Sequence, residues 1–162
     1  MDSYNSFPET MDRQKTFTEW YYELRPDLLT DEELAFELKV RQINIEGDRS
    51  KLLRCLRGKL KVEKLGEEIP LKSFQGDLKL QEELCRKKLV ELESILRNRS
   101  AEFTHSKDRL LHLGGRLLLL NSQAEGNLKD DLETMFGIIA DHLYYYFYKE
   151  AEEEDSENEL HW

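Results

Sequence analysis

The chain has 162 residues, with 24 Lys and Arg against 34 Asp and Glu for a formal net charge of -10, and 36% of its residues are charged. That size suits one domain, or one small module plus a helical piece, and needs no disulfide or metal to hold it together. The longest uninterrupted apolar run, Leu117 to Leu120, is far too short to span a membrane, and the first residues lack the charged-then-apolar build of a secretory signal.

Three prolines and eight glycines interrupt the sequence, so the reading is all-α. Cys55 and Cys85 have no CxxC spacing and no paired histidines, which fits buried, reduced thiols in an intracellular protein, cytoplasmic or nuclear. Charge is unevenly placed. Residues 1–38 carry 3 basic and 10 acidic side chains, residues 39–64 carry 9 and 3, residues 65–123 carry 10 and 9, and residues 124–162 carry 2 and 12.

Taken in chain order, residues 1–14 show no period and are expected to be disordered. From Lys15 to Leu24, Phe17, Trp20, Tyr21 and Leu24 fall on one side of a short helix that ends before Pro26. Thr30 and Glu33 form a capping-box pattern ahead of a helix that buries Leu34 and Leu38 and stops near Arg41 and Gln42. Gly47 is free to take a positive φ in the turn, and Asp48 is the expected cap of a helix from Arg49 to about Leu60 with Leu52, Leu53, Leu56 and Leu60 on one side.

Beyond a linker at 66–76, marked by Gly66, Pro70 and Gly76, the periodicity predicts three long amphipathic helices over 77–150. The first runs from about Asp77 to Glu102 with Cys85, Leu89, Leu92, Leu96 and Phe103 as its seam. The second carries Leu110, Leu113, Leu117 and Leu120, and the third carries Leu128, Leu132, Met135, Ile139 and Leu143. Together they predict an antiparallel three-helix bundle. Residues 151–162 form an acidic tail, read as disordered.

The stretch LTDEELAFELKVRQINIEGDRSKLLRCL resembles the SAP motif, matching at Leu29, Leu34, Leu38, Lys39, Ile43, Gly47, Arg49, Lys51, Leu52, Leu53 and Leu56. The resemblance implies a small helix-turn-helix hairpin over 15–65 that binds double-stranded DNA through the turn and the start of its second helix, here Arg41, Gly47, Arg49 and Lys51. Cys55 stands where that family commonly has arginine, and Glu46 and Asp48 flank the glycine. About 90 residues, from Leu29 to HSKDRLLHLGGRLLLL, are also similar to the N-terminal region of Gag-like polyproteins of insect LTR retrotransposons. That similarity implies a self-associating particle protein, with this segment preceding a capsid domain; no CCHC knuckle is present in the sequence.

Two readings of the basic helix stay open. Arg49, Lys51, Arg54, Arg57, Lys59, Lys61 and Lys64, with Lys39 and Arg41 before them, could neutralise phosphates of double-stranded DNA or RNA, or could form a solvated face paired with Glu32, Glu33 and Glu37. Gly114 and Gly115 sit inside a helix at a cost of about 1 kcal/mol each relative to alanine, which points to close packing against them. His105 and His112 lie seven residues apart with no acidic or thiol partner at ligand spacing, so no metal is expected.

Five successive aromatics, Tyr144 to Tyr148, are either the covered end of a core or a contact surface, with Tyr144, Tyr145, Tyr148, Phe17, Trp20 and Tyr21 as its candidate residues. No nucleophile, base and orienting group assemble. The sequence therefore predicts a non-enzymatic interaction protein without catalytic residues or cofactors. Its partners would be copies of itself, another helical protein or nucleic acid, with no membrane and no small-molecule substrate.

Overall fold

A computed structural model describes residues 13–69 and 71–149, and within them the chain is all-α with no strand. The expectations for residues 1–12 and 151–162 lie outside the described residues. Helix α1 is Arg13–Tyr21, so Arg13 and Gln14 belong to the first helix rather than to an irregular N-terminus. It ends earlier than the aromatic spacing predicts, because Pro26 starts a short 3-10 turn over Pro26–Leu28 and holds Arg25 in extended backbone.

Helix α2, Asp31–Val40, begins as the sequence indicates. The Glu33 amide donates to Thr30 Oγ1 at 3.2 Å, and the Thr30 amide donates to Glu33 Oε1 at 3.0 Å. Gln42 at φ 60° ends it, and the Ile43 amide turns back to the Leu38 carbonyl at 3.0 Å. Helix α3, Arg49–Lys64, starts at Asp48, whose carboxylate accepts from the Lys51 amide at 2.9 Å. It runs four residues past the predicted end and buries Leu53, Leu56 and Leu60 against α2 and the 3-10 turn, with Leu52 half-buried.

Helices α4 (Leu78–Asn98), α5 (Phe103–Gln123) and α6 (Gly126–Leu143) pack on one another. The predicted stripes are the buried ones: Cys85, Leu89, Leu92 and Leu96 on α4, Leu110, Leu113, Leu117 and Leu120 on α5, and Leu132, Met135, Ile139 and Leu143 on α6, with Leu128 half-buried. The first of these helices stops short of Glu102, because Arg99 takes a left-handed φ of 49°. Phe103 therefore opens α5 instead of ending the α4 seam, and the Arg99 guanidinium lies 4.4 Å over its ring.

Helix α5 is central and buried nearly all round, with Leu111 as hidden as the stripe, because α4 and α6 cover part of it while α1, α2 and the 3-10 turn cover the rest. The segment expected to be a linker is a strap. The Ser73 amide donates to the Val40 carbonyl at 3.1 Å, and Phe74 is buried against Phe36 with ring centroids 5.9 Å apart. The Phe74 backbone also exchanges two hydrogen bonds, each 2.8 Å, with the Gln123 side chain. One hydrophobic cluster thus runs through both regions that the sequence separated.

The two glycines of α5 are where α1 crosses it. A Cβ on Gly114 would stand 2.5 Å from two Phe17 ring carbons, and one on Gly115 would stand 2.8 Å from the Tyr21 ring. Close packing is what the glycines permit, and the approaching groups are aromatic rings rather than backbone. Gly114→Ala is therefore expected to lower stability by about 1–3 kcal/mol from overpacking, even after the gain of about 1 kcal/mol in helix propensity. Urea unfolding checks this, and an unchanged or raised midpoint would show the slot to be slack.

Candidate functional site

Helix α2 presents Glu32, Glu33 and Glu37, and α5 presents Arg109, His112 and Arg116, at spacings that keep each set on one side of its helix. The two sets meet. Arg109 donates to Glu33 at 3.1 Å, His112 Nδ1 pairs with Glu37 Oε2 at 2.6 Å, and Arg116 grips Glu32 at 2.8 and 3.0 Å. Lys88 from α4 reaches Glu33 at 3.1 Å and Glu32 at 2.9 Å.

On the far side of Glu37, Arg41 donates to its carboxylate at 2.7 Å, to Glu63 of α3 at 2.8 Å and to Tyr21 Oη at 3.0 Å. Tyr21 in turn donates to Glu37 at 2.6 Å, and Tyr22 donates to Glu63 at 3.1 Å. Arg116 also donates to Gln81 and lies 4.0 Å from the Phe36 ring centroid. Every buried side-chain nitrogen and oxygen among the described residues has a hydrogen-bond partner, as a charge cluster inside a core requires.

The electrostatics follow from that wiring. Burial alone would push these carboxyls up. The His112 charge, Arg109 and the Thr30 amide overcome it at Glu33, bringing its pKa down to about 2, and Arg116 with Lys88 brings Glu32 to about 2. At Glu37, burial is outweighed by His112, Arg41 and Tyr21, leaving the carboxyl well below its ordinary range. Burial raises the Tyr21 phenol well above 10, with Glu37 reinforcing it.

Arg41, expected at phosphate, is thus buried inside this network and unavailable to a ligand. Its partners Glu37 and Glu63 explain why: one lies a helical turn back and the other 22 residues on, and both are desolvated. Glu32, Glu33 and Glu37 do not pair with the outer face of α3, as one sequence reading had it: Glu32 and Glu33 pair with α4 and α5, and Glu37 with His112 of α5 and Arg41. His112 is likewise not partnerless, since Glu37 reaches it from 75 residues away.

The other predicted basic residues spread along α3. Gly47 sits at φ 157°, directly against the Lys51 side chain. Arg49 is tied to the Leu29 carbonyl at 2.6 Å and to Asp31, and Arg57 pairs with Asp27 at 3.3 Å. Lys51 and Arg54 face outward, joined by Lys61 and Lys64 at successive spacings of three, seven and three, and these four have no ion pair among the described residues. Leu65 continues the line at 61% exposure, and the loop beyond it holds Ile69 and Leu71 at 83% and 81%. A groove of about 490 Å³ between this loop and α3 is lined by Arg41, Gln42, Lys59, Glu63, Glu68, Ile69 and Leu71.

Two residues of the predicted aromatic surface are interior, and the other four are half-buried or exposed. Phe17 and Tyr21 are core residues at 1% and 4% exposure, closed over the glycines of α5. Tyr144–Tyr148 wind as one π-helical turn after α6, which spreads five rings over more than one face. Tyr148 stacks on Trp20 with centroids 4.2 Å apart and donates to Glu23 at 2.8 Å, Phe147 meets Phe103, and Tyr144 is half-buried. Tyr145 remains outward at 48%.

The described residues hold no group of three metal-ligating side chains, and no helix among them is long and apolar enough to cross a membrane. Cys85 is buried, which pushes its thiol up to about 11 and away from nucleophilic use. No family model, curated protein or solved structure matches the chain.

Two tests follow from the network. Glu37→Ala leaves Arg41 and His112 without their shared acceptor and is expected to cost about 3–5 kcal/mol, whereas Glu68→Ala, which breaks the exposed pair with Lys59, costs at most about 1 kcal/mol. Comparable losses in chemical denaturation would contradict the assignment. The pH dependence has a definite sign. Glu32 and Glu33 titrate below the ordinary 4.5 when folded, so the stability they add above that value drains away as pH falls from about 4.5 to about 2. A thermal midpoint flat across that window rules the network out as a source of stability.

Proposed function

We propose that this chain is a non-enzymatic structural protein of Gag-like organisation, a SAP-like hairpin docked on an antiparallel three-helix bundle, that works by self-association or by docking another helical protein. The observation that carries this reading is the outer side of α3, where Lys51, Arg54, Lys61 and Lys64 have no partners among the described residues and lead into exposed Leu65, Ile69 and Leu71. Inside the protein nearly every charge is matched, so an unmatched basic stripe beside bare aliphatic side chains is a surface built for contact. Another copy supplies a complement, since Glu125, Asp130, Asp131 and Glu133 are all exposed at the start of α6. A basic face meeting a different, acidic face is a heterologous contact, the kind that builds rings or open arrays.

Sedimentation velocity at rising concentration tests this. The wild-type chain is expected to associate in a salt-sensitive way, and K61E/K64E is expected to remain monomeric. A wild-type monomer at every concentration would refute self-association, and failure to co-sediment with a candidate helical partner would then leave the docking reading without support.

The second reading is double-stranded DNA or RNA binding, favoured by the same four unpaired cations, which lie on one side of a helix about 24 Å long. With Arg41 and Arg49 engaged internally, Lys51, Arg54, Arg57, Lys61 and Lys64 remain of the basic residues that the sequence offered to phosphate. Fluorescence anisotropy with a 24-base-pair duplex at low salt is expected to show binding that K51E/R54E weakens at least about tenfold. No binding of the wild-type chain at low salt ends that reading.

A further inference from the structure

We propose that the cleft between α1 and the second half of α5 binds a small monocarboxylate with an apolar body, its charge held by the Lys72 ammonium. The site shares no residue with the outer stripe of α3, so it goes beyond the docking reading and neither stands nor falls with it. The cleft measures about 270 Å³, at the small end of ligand sites. Phe17 and Tyr21 of α1 and Tyr22 just after it supply aromatic rings, and Leu118 and Leu119 of α5 supply half-buried aliphatic surface. Gly115 completes the lining and makes room for Tyr21, since a Cβ there would stand 2.8 Å from that ring.

The charge at this cleft is unmatched. Cations buried elsewhere in the core each hold a carboxylate: Arg41 holds Glu37, Lys88 and Arg109 hold Glu33, and Arg116 holds Glu32. Lys72, half-buried on the strap, has no ion pair or hydrogen bond among the described residues, and its Nζ lies 4.9 Å from the Tyr21 ring centroid. The ring face attracts the charge without giving its three N–H groups an oxygen. Glu37 and Glu63 feel that charge, yet their oxygens are engaged, Glu37 by His112, Arg41 and Tyr21, and Glu63 by Arg41 and Tyr22. Burial, reinforced by the Arg41 charge, lowers the Lys72 amine from its ordinary value, as befits an ammonium short of a counter-ion.

An acid of the right size answers both deficits. Its carboxylate accepts charge-assisted hydrogen bonds from Nζ, and its apolar body covers Tyr22, Leu118 and Leu119, which water now reaches in part. A dianion fits less well, because Lys72 is the one cation among the described lining residues. A neutral apolar molecule would desolvate the ammonium further and leave it unpaired, so charge sets the selectivity. The lining comes from positions 17–22, 72 and 115–119, too far apart for spacing in the sequence to announce it.

Titration of the ¹⁵N-labelled full chain with phenylbutyrate, and in parallel with neutral phenylbutanol, tests the site through amide shifts. The acid is expected to saturate with a Kd of about 1 mM or tighter, and to bind about tenfold more tightly than the alcohol. Its shifts should centre on residues 17–22, 72–74 and 115–119. K72M costs the fold no ion pair and should weaken the acid about tenfold while leaving the alcohol unchanged, and K72R should keep the preference for the acid. Absence of a saturable shift with phenylbutyrate up to about 10 mM overturns the site. So does equal affinity for acid and alcohol, an acid affinity untouched by K72M, or a set of shifts centred on the α3 lysines. The ratio of acid to alcohol in the wild-type chain decides the matter even if K72M fails to fold.

Discussion

The structure depends on a carboxylate that has no business in a core on its own. Glu37 is buried on the inner side of α2, and its charge is stable there because His112 of α5, Arg41 just past the end of α2 and the Tyr21 hydroxyl converge on it at 2.6 to 2.7 Å. Removing any of these would strand an ion away from water, a cost larger than most single hydrophobic contacts return. The hairpin of α2 and α3 is therefore bound to the bundle by matched charge as well as by the hydrophobic cluster they share, and the two regions cannot drift apart without exposing unpaired ions. Geometry also narrows the choice of pose, since a guanidinium shared among two carboxylates and a phenol tolerates little rotation.

Cationic side chains divide by chemistry between inside and outside. The cations held in the core are chiefly arginines, Arg41, Arg109 and Arg116, whose flat, forked donors satisfy several acceptors at once. The outer side of α3 is mainly lysine at its C-terminal half, with compact charges that stay hydrated until a partner arrives. Net charge hides this division, because the same -10 would describe a chain with its cations evenly spread.

Much of the local structure was legible in the sequence. The Thr30 and Glu33 box, the Asp48 cap and the leucine stripes all rest on neighbours within four residues, where spacing alone dictates contact. The glycine pair announced a close approach but not the identity of Phe17 and Tyr21 as the intruders, since they lie about a hundred positions away. The candidate site was read less well for the same reason. Arg41 resembled a phosphate ligand because its sequence neighbours are basic, whereas its real partner Glu63 closes a loop of 22 residues. A usable signal did exist: Arg109, His112 and Arg116 interrupt a leucine-rich helix on one side, and such a polar stripe needs an opposite stripe somewhere in the chain.

Glu33 is asked to do two jobs with one carboxylate. The same side chain that accepts from the Thr30 amide to start α2 also accepts from Arg109 and Lys88 to seat that helix on its neighbours. Helix initiation and tertiary docking are then a single event rather than successive ones. An α2 that loses its seat loses its first turn as well, so this helix has no stable half-formed state to visit, and its backbone amides should exchange with solvent only when the whole cooperative unit opens.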